Sequence, residues 1–116
     1  SGVSDDMAVL LASDDPRAED AVALFCYRAA RELGSLAAAL GGLDALVFTA
    51  GIGENAPEIR RRIAAQAHWL GMRLNDDANR ANASRISAAD SAVAVHVIPT
   101  EEERMIAAET RAVCGL

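Results

Sequence analysis

Phe48-Thr49-Ala50-Gly51-Ile52-Gly53-Glu54-Asn55-Ala56-Pro57-Glu58-Ile59-Arg60 is the stretch whose reading decides the fold. It begins as the end of an apolar run, Ala45-Leu46-Val47-Phe48, that stops at Thr49. Two glycines, an acid, an amide and a proline then precede a helical pattern. A short apolar run between turn signals reads as a strand buried on both faces, here Leu43 to Thr49. The residues after the glycines read as a helix that begins near Ala56. Asn55 is its expected cap and Glu58 lies in its first turn. Such a corner presents backbone N–H groups with no intrahelical partner and the positive end of a helix dipole. Glycines let a flat or anionic ligand approach the backbone closely, as a nucleotide would. The pattern is neither GxGxxG nor a P-loop ending in GK[ST]. A tight turn whose glycines only supply positive φ accounts for the spacing equally well.

Upstream, Asp15 can cap a helix whose first position suits Pro16. Val22, Phe25, Cys26, Ala29, Leu33, Leu36 and Leu40 recur at steps of three and four, so the spacing predicts one helix of about 24 residues. Gly41-Gly42 ends it. Downstream, the second helix runs through Ile59, Ile63 and Ala67 to Trp69 or Leu70, and Gly71 closes it. Met72 to Leu74 is expected as a short strand. Asn75 to Ser91 is expected to be irregular, with at most a short helical turn. Ala92 to Ile98 is a second apolar strand, stopped by Pro99, and Thr100 caps a last helix from Glu101 to about Val113. Alternation of helices and strands predicts an α/β fold with a short, mostly parallel sheet flanked by helices. Two principal strands make a thin sheet, which implies partner strands from further chain.

The composition limits what the chain can do. It has 116 residues, 52% of them hydrophobic, enough for one domain with a modest core of small aliphatic groups. The net charge of −6 argues against a nucleic-acid partner, because a phosphate backbone needs a basic face. A small anionic ligand is still allowed, since backbone dipoles act locally. Cys26 and Cys114 form no CxxC and have no His/Cys cluster around them, which argues against zinc. No apolar run is long enough for a membrane span and no signal peptide is recognisable, so a reducing, cytoplasmic location is expected. Ser1-Gly2-Val3-Ser4 lack an initiator Met and read as the interior of a longer chain.

Pro99-Thr100-Glu101-Glu102-Glu103 is the second strand-to-helix corner. Thr100 and Glu103 have capping-box spacing. Acids in a first helical turn gain about 0.3–1 kcal/mol each from the dipole. That is the plainer reading of Glu101 and Glu102. The sharper one is a Mg²⁺ contact through Glu102, since Mg²⁺ often takes only one or two protein carboxylates. Both corners would then share the carboxyl edge of the sheet, where ligands of open α/β sheets gather. Ser4-Asp5-Asp6 reads first as a helix start with capping acids. Trp69 is expected to pack rather than to bind. Neither His68 nor His96 has a triad-like context. Arg60-Arg61-Arg62 reads as a solvated helix surface, although Arg60 could turn toward a phosphate or an acid.

The stretches VFTAGIGENAPEIRRRI (47–63) and VIPTEEERMIA (97–107), with SGVSDDM (1–7), closely resemble the C-terminal part of acetate kinases. The resemblance covers essentially the whole chain, in that family's order and spacing. It implies that residues 1–116 are one partial domain, the C-terminal segment of a nucleotide-binding domain. That domain would be ribonuclease-H-like, as in sugar kinases, heat-shock chaperones and actin. It implies phosphoryl transfer between ATP and acetate, giving ADP and acetyl phosphate, with Mg²⁺ or Mn²⁺, in a cytoplasmic homodimer. It places Gly51, Ile52, Gly53, Glu54 and Asn55 against the adenosine of ATP or ADP, Asp6, Met7 and Ala8 beside the nucleotide, and Glu102 at the metal. Ala8 departs from the family, which usually has an arginine there. Losing that guanidinium should cost several kcal/mol of transition-state stabilisation if nothing replaces it. Glu101, where asparagine is common, is a milder departure. The acetate pocket and the remaining catalytic residues would lie upstream, so no catalytic residue is assigned within these residues. Two alternatives remain: a non-catalytic nucleotide-binding or dimerisation module of the same family, and a propionate or butyrate kinase.

Overall fold

The computed structural model describes residues 11–49 and 56–98. Helix α1 runs over Pro16–Leu40. The Asp15 carboxylate accepts the Arg17 N–H at 2.9 Å, and Pro16 fills the first turn, as the sequence predicts. Gly41 is left-handed at φ 75, and both Gly41 and Gly42 donate to the Ala37 carbonyl. The buried stripe is Val22, Cys26, Ala29, Leu33 and Ala37. Phe25 and Leu36 are only partly buried, and Leu40 is exposed. The stripe is thus narrower than the sequence pattern suggested, because Ala37 rather than Leu40 faces the core where the helix passes Leu43.

Strands β1 (Ala45–Thr49) and β2 (Ala94–Ile98) pair in parallel, Ala45 opposite Ala94 through Thr49 opposite Ile98. Leu46, Val47, Phe48 and Thr49 are all buried, as expected for a strand covered on both faces. Successive side chains alternate between faces. Leu46, Phe48, Val95 and Val97 join the core formed with α1 and with helix α2 (Pro57–Gln66) through Ile59 and Ile63. Val47 and Thr49 belong to the opposite face.

The crossover from β1 to β2 departs from expectation in places. Helix α2 is α-helical only to Gln66. A 3₁₀ turn, His68–Leu70, follows, and Gly71 closes it at φ 84. Trp69 does not pack into the core; it is 67% exposed, because the turn carries it outward beside Gly34. Met72–Leu74 forms no strand, only a single antiparallel bridge from Leu74 to Ser87. Residues 75–91 are more ordered than their polarity suggests. Helix α3 (Asp76–Arg80) is capped by the Asn75 side chain, which accepts the Ala78 N–H. Ile86 is fully buried. Its N–H donates to the Val95 carbonyl, while the Val97 N–H donates to the Ser84 carbonyl, so residues 84–86 border the outer edge of β2. Ile86 and backbone hydrogen bonds hold residues 84–86, and neither leaves a periodic signal in sequence.

Gly71 packs against Ala92, and a β-carbon there would sit 2.7 Å from the Ala92 β-carbon, whereas one at Gly41 would meet open space. Both have positive φ. Gly71→Ala should therefore cost about 2–3 kcal/mol and Gly41→Ala about 1 kcal/mol in urea unfolding. Equal losses would show that the Ala92 contact relaxes freely.

Candidate functional site

The parallel register brings Thr49 and Ile98 side by side at the carboxyl end of the sheet. The stretches that begin at residues 50 and 99 therefore leave from neighbouring positions on one edge, where open α/β sheets bind ligands. Of the residues singled out in the sequence, Asp6, Met7, Ala8, Gly51, Ile52, Gly53, Glu54, Asn55 and Glu102 all lie outside the described residues, as do Thr100, Glu101 and the last expected helix. Among the described residues, no group of three or more His, Cys, Asp or Glu side chains converges to hold a metal ion. No described helix is long and apolar enough to cross a membrane.

The start of α2 is described, and it corrects one expectation. The cap position is Ala56, not Asn55, and it makes no side-chain capping bond. Pro57 at the first helical position shifts the cap, because its fixed φ suits the helix itself. The dipole at this end is met by Glu58 in the first turn.

Arg60 overturns the reading of Arg60-Arg61-Arg62 as a solvated surface. Three successive helical residues point in three directions, and this one points inward, on the face of Ile63 and Ala64. Its side chain is 0% exposed. Nε donates to Asn79 Oδ1 at 2.7 Å, and one terminal nitrogen donates to the Asn79 carbonyl at 2.8 Å and to Asn82 Oδ1 at 2.6 Å. Asn79, itself buried, donates through Nδ2 to the Pro57 carbonyl at 2.9 Å. Burial pulls the guanidinium down to about 10, which leaves it charged at neutral pH. Sequence reasoning missed this network. The available signal was the 60, 63, 64, 67 spacing, which puts an arginine on an apolar stripe.

The other two arginines do lie outward. Arg61 pairs with Glu58 at 2.6 Å, and Arg62 pairs with Glu58 at 2.8 Å and with Glu19 on α1 at 2.7 Å. A shallow cleft beside them is bordered by Pro57, Glu58, Arg61, Asp76, Asn79 and Arg80. Arg80 pairs with Asp77, so both arginines at this cleft are already engaged by carboxylates. His68 is exposed and His96 half-buried. The Thr49 hydroxyl is buried and has no hydrogen-bond partner among the described residues.

The sequence profile of the Acetokinase family matches residues 1–108. The chain belongs to that family. It is 67% identical over 109 residues to an acetate kinase of Rhodopseudomonas palustris (strain TIE-1), a match covering 92% of this chain and 27% of that protein. It is 60% identical over 112 residues to an acetate kinase of Rhizobium meliloti, covering 97% of this chain and 28% of that protein. The fold matches a crystal structure of a propionate kinase from Francisella tularensis subsp. tularensis SCHU S4 with a TM-score of 0.74 at 34% identity, over 84% of this chain and 25% of that one. It matches Porphyromonas gingivalis acetate kinase with a TM-score of 0.73 at 32% identity, over 82% of this chain and 25% of that one. The chain thus spans about a quarter of the length of the relatives it matches.

Hydrogen bonds from Arg61, then from Arg62, hold the Glu58 carboxyl down at about 2 against an ordinary value of 4.5. A depressed folded value gives stability that is present above 4.5 and lost as pH falls toward 2. Glu58→Gln should flatten that part of the stability–pH curve and leave stability at pH 7–9 without further pH dependence. An unchanged acid limb in thermal melts would contradict the pairing.

Proposed function

We propose that the chain is the C-terminal, nucleotide-side part of an acetate kinase, which transfers phosphoryl between ATP and acetate. The identity to proteins named acetate kinase supports the activity. The observation that carries the nucleotide side is the register that ends β1 and β2 together, at Thr49 and Ile98. Two corners with acetate-kinase-like sequence leave from that edge. In this reading Gly51, Ile52, Gly53, Glu54 and Asn55 lie along the adenosine, with Asp6, Met7 and Ala8 nearby, and Glu102 contacts Mg²⁺ or Mn²⁺.

In the complete reaction an acetate oxygen attacks the γ-phosphorus in line, the bond to the β,γ-bridging oxygen breaks, and ADP leaves. Catalysis of this kind is positioning plus neutralisation of spread negative charge. Mg²⁺ supplies part of that neutralisation when bound. The described residues provide no set of ligands for it, so its contact rests on the resemblance at Glu102 and no step is derived through it. What the described part contributes is a rigid platform: two paired strands and a helix start locked by Arg60. The acetate side of the cleft would come from the remainder of the protein, as would the residues that set acyl length. The comparably good match to a propionate kinase accords with that division. A cytoplasmic homodimer belongs to the same reading.

Calorimetric titration of the purified 116-residue chain with Mg-ADP should give saturable heat. In the full-length enzyme, Glu102→Gln should raise the Mg²⁺ concentration needed for activity while leaving the far-UV helix signal unchanged. Acetate plus ATP should yield no hydroxamate with this chain alone. Absence of saturable heat would contradict the nucleotide site, and robust hydroxamate formation would contradict the division of the cleft.

A further inference from the structure

We infer that Arg60, Asn79 and Asn82 form a positioning clamp for the nucleotide corner, so that residues 75–82 act on nucleotide affinity without touching the nucleotide. This rests on the nucleotide reading above. The geometry is specific. Asn79 holds both ends of the first turn of α2: its Oδ1 and main-chain carbonyl accept from Arg60, and its Nδ2 donates to the Pro57 carbonyl. Pro57 directly follows the stretch 51–56 in the chain. Asn82 completes the clamp through Oδ1, 2.6 Å from the guanidinium. These three acceptors lie along Nε and one terminal nitrogen of the planar guanidinium, a geometry a lysine could not match.

The clamp is costly to build, which argues that it does more than fill space. An apolar side chain at position 60 would bury without desolvating a charge. Asn82 also sits at φ 54, the one non-glycine residue among the described positions with positive φ. Asparagine tolerates that conformation better than most residues, but glycine would do so more readily. An asparagine there keeps the amide oxygen that faces Arg60. Ligand affinity responds to such second-layer support because a displacement of about 1 Å in a positioning element is strongly felt.

Asn82→Gly isolates this role, because glycine keeps the left-handed backbone and removes only the side-chain acceptor. Asn82→Asp restores an acceptor of nearly the same shape. Mg-ADP titration of the intact protein, at a temperature where melts show every variant folded, should give a dissociation constant raised about fivefold for Asn82→Gly, the lower end of typical couplings between linked sites. Asn82→Asp should return it to within about twofold of the starting value, since a carboxylate accepts more strongly from a guanidinium. A lowered melting temperature with unchanged affinity in Asn82→Gly would overturn the inference and make the clamp a scaffold only. Equal weakening in Asn82→Gly and Asn82→Asp would overturn it too. Failure of the unsubstituted protein to bind Mg-ADP would instead overturn the nucleotide reading, and the inference with it.

Discussion

A guanidinium with no exposed surface, under the first turn of a helix, is the constraint around which the rest of this structure is arranged. Arg60 cannot be neutral near pH 7, so its burial must be offset by well-aligned acceptors. Asn79 and Asn82 are acceptors of this kind, and both come from the polar stretch that follows α2. The clamp therefore explains why residues 75–82 are ordered despite offering few apolar groups. It also fixes where α2 begins, through the Asn79 bond to Pro57. On the far side of α2, Arg62 reaches Glu19 on α1, a half-exposed pair that adds little energy but ties the two helices over the same core.

Beneath these polar ties lies a core with few aromatic groups. Phe48 is its buried aromatic member, and the rest is Leu, Ile, Val, Met, Cys and Ala. With small side chains, close approach of the elements matters more than any single large group. Gly71 against Ala92 is one such approach. The outcome is a sheet whose two named strands point the same way and stop together. A chain that emerges twice from one edge can assemble a site from two separated segments without long loops. That geometry, joined to membership of the Acetokinase family, is what supports the proposed nucleotide-side role for this quarter of the relatives' length.

Much of the fold was legible in the residues. Asp15-Pro16 and Gly41-Gly42 are strong stop signals, and they bracket α1 as read. The apolar runs at 43–49 and 92–98, separated by a helical pattern, indicate parallel strands, and each strand starts two residues later than its run. Three features were not legible. Three adjacent arginines look solvated by composition, and only helical phase separates Arg60 from its neighbours. Trp69 is a side chain expected to pack, yet a 3₁₀ turn points it outward. Residues 84–86 join the edge of β2 through backbone hydrogen bonds, which carry no side-chain signature. Of the candidate site itself, the structure speaks to its foundations: the two strand ends and the start of α2. The expected ligand contacts lie outside the described residues and rest on sequence resemblance.

Amide hydrogen exchange with and without Mg-ADP tests the central claim most directly, because it reads both corners at once in the same molecule. The account predicts added protection in two separated segments, residues 49–57 and 98–103, and none at the opposite ends of the strands, residues 43–45 and 92–94. Protection confined to the opposite ends, or to one corner alone, would contradict a shared carboxyl-edge site.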